Sequence, residues 1–286
     1  MKVFYSPRQS VADNSSFSPS AGKPERVVEQ WLARFPIEIV EPEPVTPAEL
    51  AMAHDRSYVD DVLACRTHNG FGNRSRAVAE SLPWTTGSMV AAARHVLSHG
   101  GAACSPTSGF HHACYARGGG FCTFNGLMVT AMLVRDRVQR VGILDCDFHY
   151  GNGTDDIMGR LRADFVQHYT TGHPLLSELG PYGRTRDPEG FLERLPDLLA
   201  DMRAGLLLYQ AGADAHRDDP LGGWMTDEQM RRRDRTVFRF CRAHGVPVVW
   251  NLAGGYQDDF QRVLDLHHAT MEECLAAFQD PLGPSI

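Results

Sequence analysis

The sequence predicts an α/β fold: a central, mostly parallel sheet flanked by helices on both faces. Three observations predict it. Short, nearly continuous apolar runs recur along the chain, as parallel strands buried on both faces require. Amphipathic helical patterns lie between them. Acidic residues and histidines gather just after several of the apolar runs, and ligands of open α/β sheets sit beyond the carboxyl ends of the strands.

In chain order, "KVFY" (2–5) reads as the first strand, and residues 6–24, rich in Ser, Pro, Asn and Gly, as a long loop. "KPERVVEQWLARF" puts Pro24 at a helix start and Val27, Val28, Trp31 and Leu32 at helical spacing. Residues 66–86 read as a second long loop, followed by a helix in "TTGSMVAAARHVLSHG" that stops on glycine. "GAACSP" (101–106) is the next strand and leads into "GFHHACYARGGGFC" (109–122). A helix in "NGLMVTAMLVRDRVQR" follows, then strands in "RVGILDCD" (140–147) and "ADFVQHYT" (163–170), and a third long loop over 171–190. "AGLLLYQAG" (204–212) and "VPVVWNLAGG" (246–255) are strands on either side of the helix "TDEQMRRRDRTVFRFCRAHG", which Thr226 caps. A last helix carries His267 and His268. With no internal repeat, the 286 residues are expected to form a single domain spanning 1–286.

Composition narrows the function classes. Lys and Arg number 28 against 35 Asp and Glu, a net charge of −7, which argues against a phosphate-backbone binder and so against a nucleic-acid partner. Only Lys2 and Lys23 are lysines, and "RRRDR" (231–235) reads as a solvated helix face. No run of 18 apolar residues exists, so no membrane span is expected. The opening "MKVFYSPRQS" lacks the apolar core of a signal peptide. Seven cysteines without a CxxC pair fit a reducing compartment, and a cytoplasmic protein is expected. Cys146 reads as a small buried side chain, and Trp31, Trp84 and Trp250 as core.

The strand ends carry the chemistry. Four of them deliver "FHHA", "DCDFHYGNG", "GADAHRDDPLGG" and "AGGYQ" to one rim, and so many buried charges need partners or a metal. Asp147 and His149, two residues apart at a strand end, point to one side, and Asp214 can join them from a neighbouring strand. Two carboxylates and one imidazole leave open positions, as in a catalytic rather than a structural zinc site. Asp145 could orient a histidine from behind.

These segments, in this order from "HDRSYVDDVL" (54–63) to "NLAGGYQ" (251–257), resemble the histone deacetylase superfamily, which includes acetylpolyamine amidohydrolases and acetoin-utilization proteins. "DPLGG" (219–223) is similar to class II and bacterial members. The resemblance implies the arginase–deacetylase fold and a metal-dependent deacetylase with one Zn²⁺ per chain on Asp147, His149 and Asp214. It implies that the metal polarises an acetamide carbonyl and a water. His112 then takes and returns the proton, and His111, held by Asp145, acts electrostatically. Tyr256 donates to the developing oxyanion, the Gly120 carbonyl accepts the amide N–H, Phe121 lines a tunnel and Leu221 its rim. A K⁺ or Na⁺ near Asp145 is implied as well.

Two departures stand out. Asn152 occupies a place where many class I members have aspartate, so His112 is expected to be neutral more often. The opposing tunnel aromatic falls in "QHYTTGHPLL" (167–176), which holds no Phe, leaving His173 or Tyr169. The expected substrate is a small acetylated amine or an acetyl-lysine side chain, with Asp13, Glu80 and Asp218 as acids for the tunnel mouth, and a homo-oligomer is left open. Two rival readings are a binuclear manganese ureohydrolase, which would need carboxylates where Gly151 and His216 stand, and a non-catalytic acetyl-lysine binding module.

Overall fold

The protein's structure, a computed structural model, describes residues 1–172 and 187–279. Among these residues, seven strands form one parallel sheet in the order β2-β1-β3-β7-β6-β4-β5. They are β1 (Lys2–Phe4), β2 (Glu38–Val40), β3 (Ala102–Ser105), β4 (Val141–Asp145), β5 (Val166–Thr170), β6 (Leu206–Gln210) and β7 (Val248–Asn251). The helices are α1 (Lys23–Arg34), α2 (Pro47–Leu50), α3 (Arg56–Leu63), α4 (Arg76–His99), α5 (Gly126–Val134), α6 (Asn152–Leu161), α7 (Pro188–Met202), α8 (Asp227–His244) and α9 (Phe260–Gln279).

Register explains why the central strands read as unbroken apolar runs. Ala103, Val249, Leu208 and Ile143 line up across β3, β7, β6 and β4, and so do their neighbours Cys104, Trp250, Tyr209 and Leu144. Successive side chains point to opposite faces. The first row joins a core built with Met89, Leu127 and Ile157 from α4, α5 and α6. The second joins a core built with Trp31, Phe191, Phe238 and Met271 from α1, α7, α8 and α9. Both faces are therefore covered, as the α/β expectation requires.

Chain order also selects the location of the site. After β3 the chain crosses to β4, moves out to β5, then returns to fill the gap with β6 and β7. The four central strands thus all open their carboxyl ends at one place, a crevice where the strand order reverses.

Several stretches differ from expectation. Residues 66–86 are not wholly loop: α4 begins at Arg76, with the Ser75 hydroxyl accepting the Val78 N–H, and runs through Pro83. The apolar face of Val78, Ala79, Leu82 and Met89 outweighs the cost of an interior proline. The Pro83 carbonyl accepts from Val45 N instead, and Gly87 lets the backbone at Glu43 approach, where a Cβ would lie 2.2 Å from the Glu43 oxygen. Next, β2, α2, α3, α6 and α7 are elements that the sequence patterns did not predict. Asp187 caps α7, accepting from Gly190 N at 2.9 Å, and Pro188 follows at the first helical position.

The segment "RRRDR" differs as well. It lies on α8 but is not a solvated face. Arg233 and Asp234 are buried and paired at 2.8 Å. The Arg233 guanidinium donates to the carbonyl oxygens of Gly212 (2.9 Å) and Cys146 (3.4 Å), at the ends of β6 and β4. Asp234 accepts from the hydroxyls of Tyr209 and Thr270. Arg231 and Arg235 pair with Glu272 and Glu273 of α9. Trp31 and Trp250 are buried together as expected, whereas Trp84 is only partly buried beneath the Arg8 guanidinium. No helix among the described residues is long and apolar enough to cross a membrane.

Candidate metal centre and active site

The segment after β4 turns Asp147 and His149 toward Asp214, which follows β6. Their ligand atoms all lie within 4.8 Å of one another. His149 Nδ1 is 3.1 Å from Asp147 Oδ1 and 2.9 Å from Asp214 Oδ2. Asp147 and Asp214 are buried and His149 is half-buried. Burial and the charge of Asp147 push the Asp214 carboxyl up to about 7, while Asp147 is held low by His111 and His149 against its own burial. Burial disfavours the His149 cation, but hydrogen bonds to Asp147 and Asp214 reverse this and raise it to about 11. Two buried acids sharing one imidazole proton form a donor set with excess negative charge, and a divalent cation fits it. Among the described residues this is the one such cluster.

The two histidines of "FHHA" differ in environment. His111 Nδ1 donates to Asp145 Oδ2 at 2.7 Å, and its Nε2 lies 3.6 Å from Asp147 Oδ1. Burial works against its charge, but Asp145 and Asp147 raise it to about 9. His112 is lowered to about 4, chiefly by burial and then by the neighbouring His111 charge. Its Nδ1 donates to Asn152 Oδ1 at 2.7 Å, so Nε2 carries the lone pair. One imidazole is thus a cation and the other a free base near neutrality.

This asymmetry has a testable consequence. Asn152→Asp places a negative charge on His112 Nδ1–H, which favours the protonated form. We expect the acid limb of the kcat/KM profile to move up by about one pH unit or more. An unmoved limb would detach His112 from proton transfer.

The glycine run serves close approach. Gly120 has φ +53°, and a Cβ there would sit 2.3 Å from His112 Cδ2. Phe121 holds φ +63°, a conformation that costs a non-glycine residue on the order of 1 kcal/mol or more. Its N–H donates to the Gly70 carbonyl at 3.0 Å, which anchors it. The Phe121 ring lies 5.8 Å from that of Tyr256. Tyr256 follows the β7 turn, and its N–H donates to Asp219 Oδ2 at 2.7 Å. The other Asp219 oxygen accepts from Leu221 N, so one carboxylate of "DPLGG" holds both residues. Burial, then Asp147 and Asp214, raise the Tyr256 phenol, which therefore stays a donor.

The structure brings together Asp145, Asp147, His149, Asp214, His111, His112, Asn152, Gly120, Phe121 and Tyr256. Leu221 is 41% exposed beside them. Tyr169 stacks against Phe191 of α7, and His173 lies outside the described residues. Of the three acids named for the mouth, Glu80 lines a separate cleft with Arg8, Val11 and Trp84. Asp218 sits 3.8 Å from both Arg217 and His216, and Asp13 is exposed.

Several site residues escape a sequence reading. Phe17, 77% exposed, meets the Phe121 ring edge-on at 5.2 Å, and Phe71 meets it at 5.8 Å. His168 is buried between Asp155 (2.7 Å) and Asp145 (3.9 Å). Lys23 is fully buried with Nζ on the Gly254 carbonyl. The one available signal was that Lys23 is one of only two lysines.

Known proteins resemble this chain over most of its length. A profile described as the histone deacetylase domain matches residues 22–168 and 187–271. An uncharacterized protein of Picosynechococcus is 31% identical over 252 residues, covering 81% of this chain and 83% of its own length. A probable deacetylase of Methanothermobacter thermautotrophicus is 26% identical over 289 residues, covering 91% and 86%. The crystal structure of an acetylpolyamine aminohydrolase from Burkholderia pseudomallei superposes with a TM-score of 0.72 at 21% identity, covering 97% of this chain and 99% of that one, and shares the arginase–deacetylase fold.

Proposed function

This chain belongs to the histone deacetylase family, and on that premise we propose that it is a zinc-dependent amidohydrolase that removes the acetyl group from an N-acetylated amine. Membership makes it a deacetylase-type enzyme. The reading of substrate and metal rests on one observation: the Asp147–His149–Asp214 cluster lies next to two histidines whose proton affinities are driven apart.

Asp147, His149 and Asp214 would hold one Zn²⁺, which when bound would supply Lewis-acid polarisation and lower the pKa of a water. The chain's own groups do the rest. His112 accepts a proton at Nε2 and returns it to the leaving amine. His111, as a cation, favours negative charge near Asp147. Tyr256 donates its phenol proton in a hydrogen bond to the carbonyl oxygen as charge builds there. The Gly120 carbonyl accepts the substrate N–H, while Phe121 and Leu221 flank the alkyl chain. A K⁺ or Na⁺ beside Asp145 belongs to the same proposal, next to the Asp145 and Asp147 carbonyls that accept from Thr171.

Aromatic Phe17 and Phe71 beside Phe121, with Leu221 exposed, favour a mouth that grips apolar chain. A panel of acetyl-polyamines, acetyl-cadaverine and acetyl-lysine peptides, read as kcat/KM, tests the substrate class. We expect acetyl-lysine peptides to exceed acetyl-spermidine by about tenfold, since a mouth lined by aromatic rings disfavours the additional ammonium groups of a polyamine tail. Preference for acetyl-spermidine would reverse the assignment. Binding of these amides without turnover would favour the binding-module reading.

A ureohydrolase is disfavoured on geometry. At Gly151 a Cβ would lie 2.6 Å from Asp145 Oδ2, so no carboxylate side chain fits there. His216 Nε2 is committed to Asp227 at 3.1 Å, and its Nδ1 to the Asp218 N–H at 3.3 Å.

A further inference from the structure

Lys23 opens α1, and its side chain is fully buried. Burying an amine costs free energy unless it is hydrogen-bonded. Its Nζ donates to the carbonyl of Gly254, 231 residues away in the turn after β7. Gly254 has φ +54°, and a Cβ there would come within 2.4 Å of the Asp214 carboxyl carbon. The turn therefore packs its backbone directly on a metal-cluster acid, and Tyr256 follows two residues later. Asp219 holds the Tyr256 N–H from the other side at 2.7 Å. The turn is pinned at two points, one by an acid that follows β6 and one by a lysine from the start of α1.

We propose that Lys23 is a positioning residue for Tyr256, acting through the Gly254 carbonyl; this rests on the hydrolysis proposed above. A phenol that must meet a developing oxyanion gains only if its carrier is held to within a fraction of an ångström, and a misplacement near 1 Å costs about 10²-fold. Glycines at 254 and 255, both at positive φ, give the turn little stiffness of its own. An external anchor supplies it. Burial pushes the amine down to about 7 while Asp214, Asp147 and Asp219 oppose that shift. The anchor does not depend on which form is present, because ammonium and amine both donate.

Lys23→Met in the full, metal-loaded chain removes the donor and keeps the length. We expect kcat on an acetyl-lysine peptide to fall roughly 10- to 100-fold with KM within about twofold. Metal content should match wild type, and Tm should fall by no more than a few degrees, because the Gly254 carbonyl loses its donor while the burial of the amine itself is relieved. In a Tyr256→Phe background the same change should cost less than about threefold, since the positioned group is gone. Hydrogen exchange at the Gly255 and Tyr256 amides, measured without substrate, should quicken by about tenfold or more while α1 and α9 stay protected. Unchanged exchange at those amides, or full additivity with Tyr256→Phe, overturns the role. A wild-type chain that hydrolyses none of the amides would sink the hydrolysis, and the exchange experiment would still decide whether Lys23 holds the turn.

Discussion

Tyr256→Phe is expected to keep its metal and its fold and to lose roughly 10²- to 10³-fold in kcat, the cost of removing one oxyanion donor. The physical case is local. Burial and the carboxylates of Asp147 and Asp214 raise the phenol, so it remains protonated across the working range and donates rather than repels. Phenylalanine keeps the ring that meets Phe121 at 5.8 Å, and the backbone N–H still donates to Asp219. Only the hydroxyl is lost. Because the donor acts as charge develops, kcat should carry the loss and KM should stay close to wild type. Steady-state kinetics with metal analysis on the same sample checks this. Activity within about threefold of wild type, with metal bound, would remove Tyr256 from the chemistry.

Asp214→Asn is expected to weaken divalent metal binding by more than about 100-fold, since even partners behind the ligands cost 10- to 100-fold. The metal-free protein should respond in the opposite direction. Two fully buried acids face each other there, and Asp214 is pushed up to about 7 by burial and by Asp147. Neutralising one relieves that repulsion, so the metal-free variant should melt at or above the metal-free wild type. Wild type should gain stability with added Zn²⁺ by mass action, about 4 kcal/mol at a thousandfold excess over Kd, and the variant should show almost none of that shift. Thermal melts with and without Zn²⁺, after stripping with a chelator, decide it. A variant that keeps the full Zn²⁺-induced shift would move the metal off these residues.

How much was legible follows from how local each signal is. The central strands were readable because β3, β4, β6 and β7 are buried on both faces and leave unbroken apolar runs. The metal cluster was readable because Asp147 and His149 are two residues apart and Asp214 stands at another strand end. Helix α7 was hidden because the sequence suggested a long loop over 171–190, and by Pro196 within the helix. The Pro83 end of α4 was hidden because a proline marks a break unless packing overrides it. Arg233 read as solvated because the other three arginines of "RRRDR" are part-exposed; only the packing of α8 against the ends of β4 and β6 turns one of the four inward.

By itself, then, the sequence determined the α/β class, the central strands and the residues able to bind a metal, since these depend on apolar runs and short spacings. The tertiary structure alone decided which groups face them from afar: Lys23 on Gly254, Asp219 on Tyr256, His168 beside Asp145 and Phe17 against Phe121. The reason is physical. Covalent spacing constrains a few residues at a time, while burial and long-range hydrogen bonds join positions that only the closed sheet and its helices bring within reach.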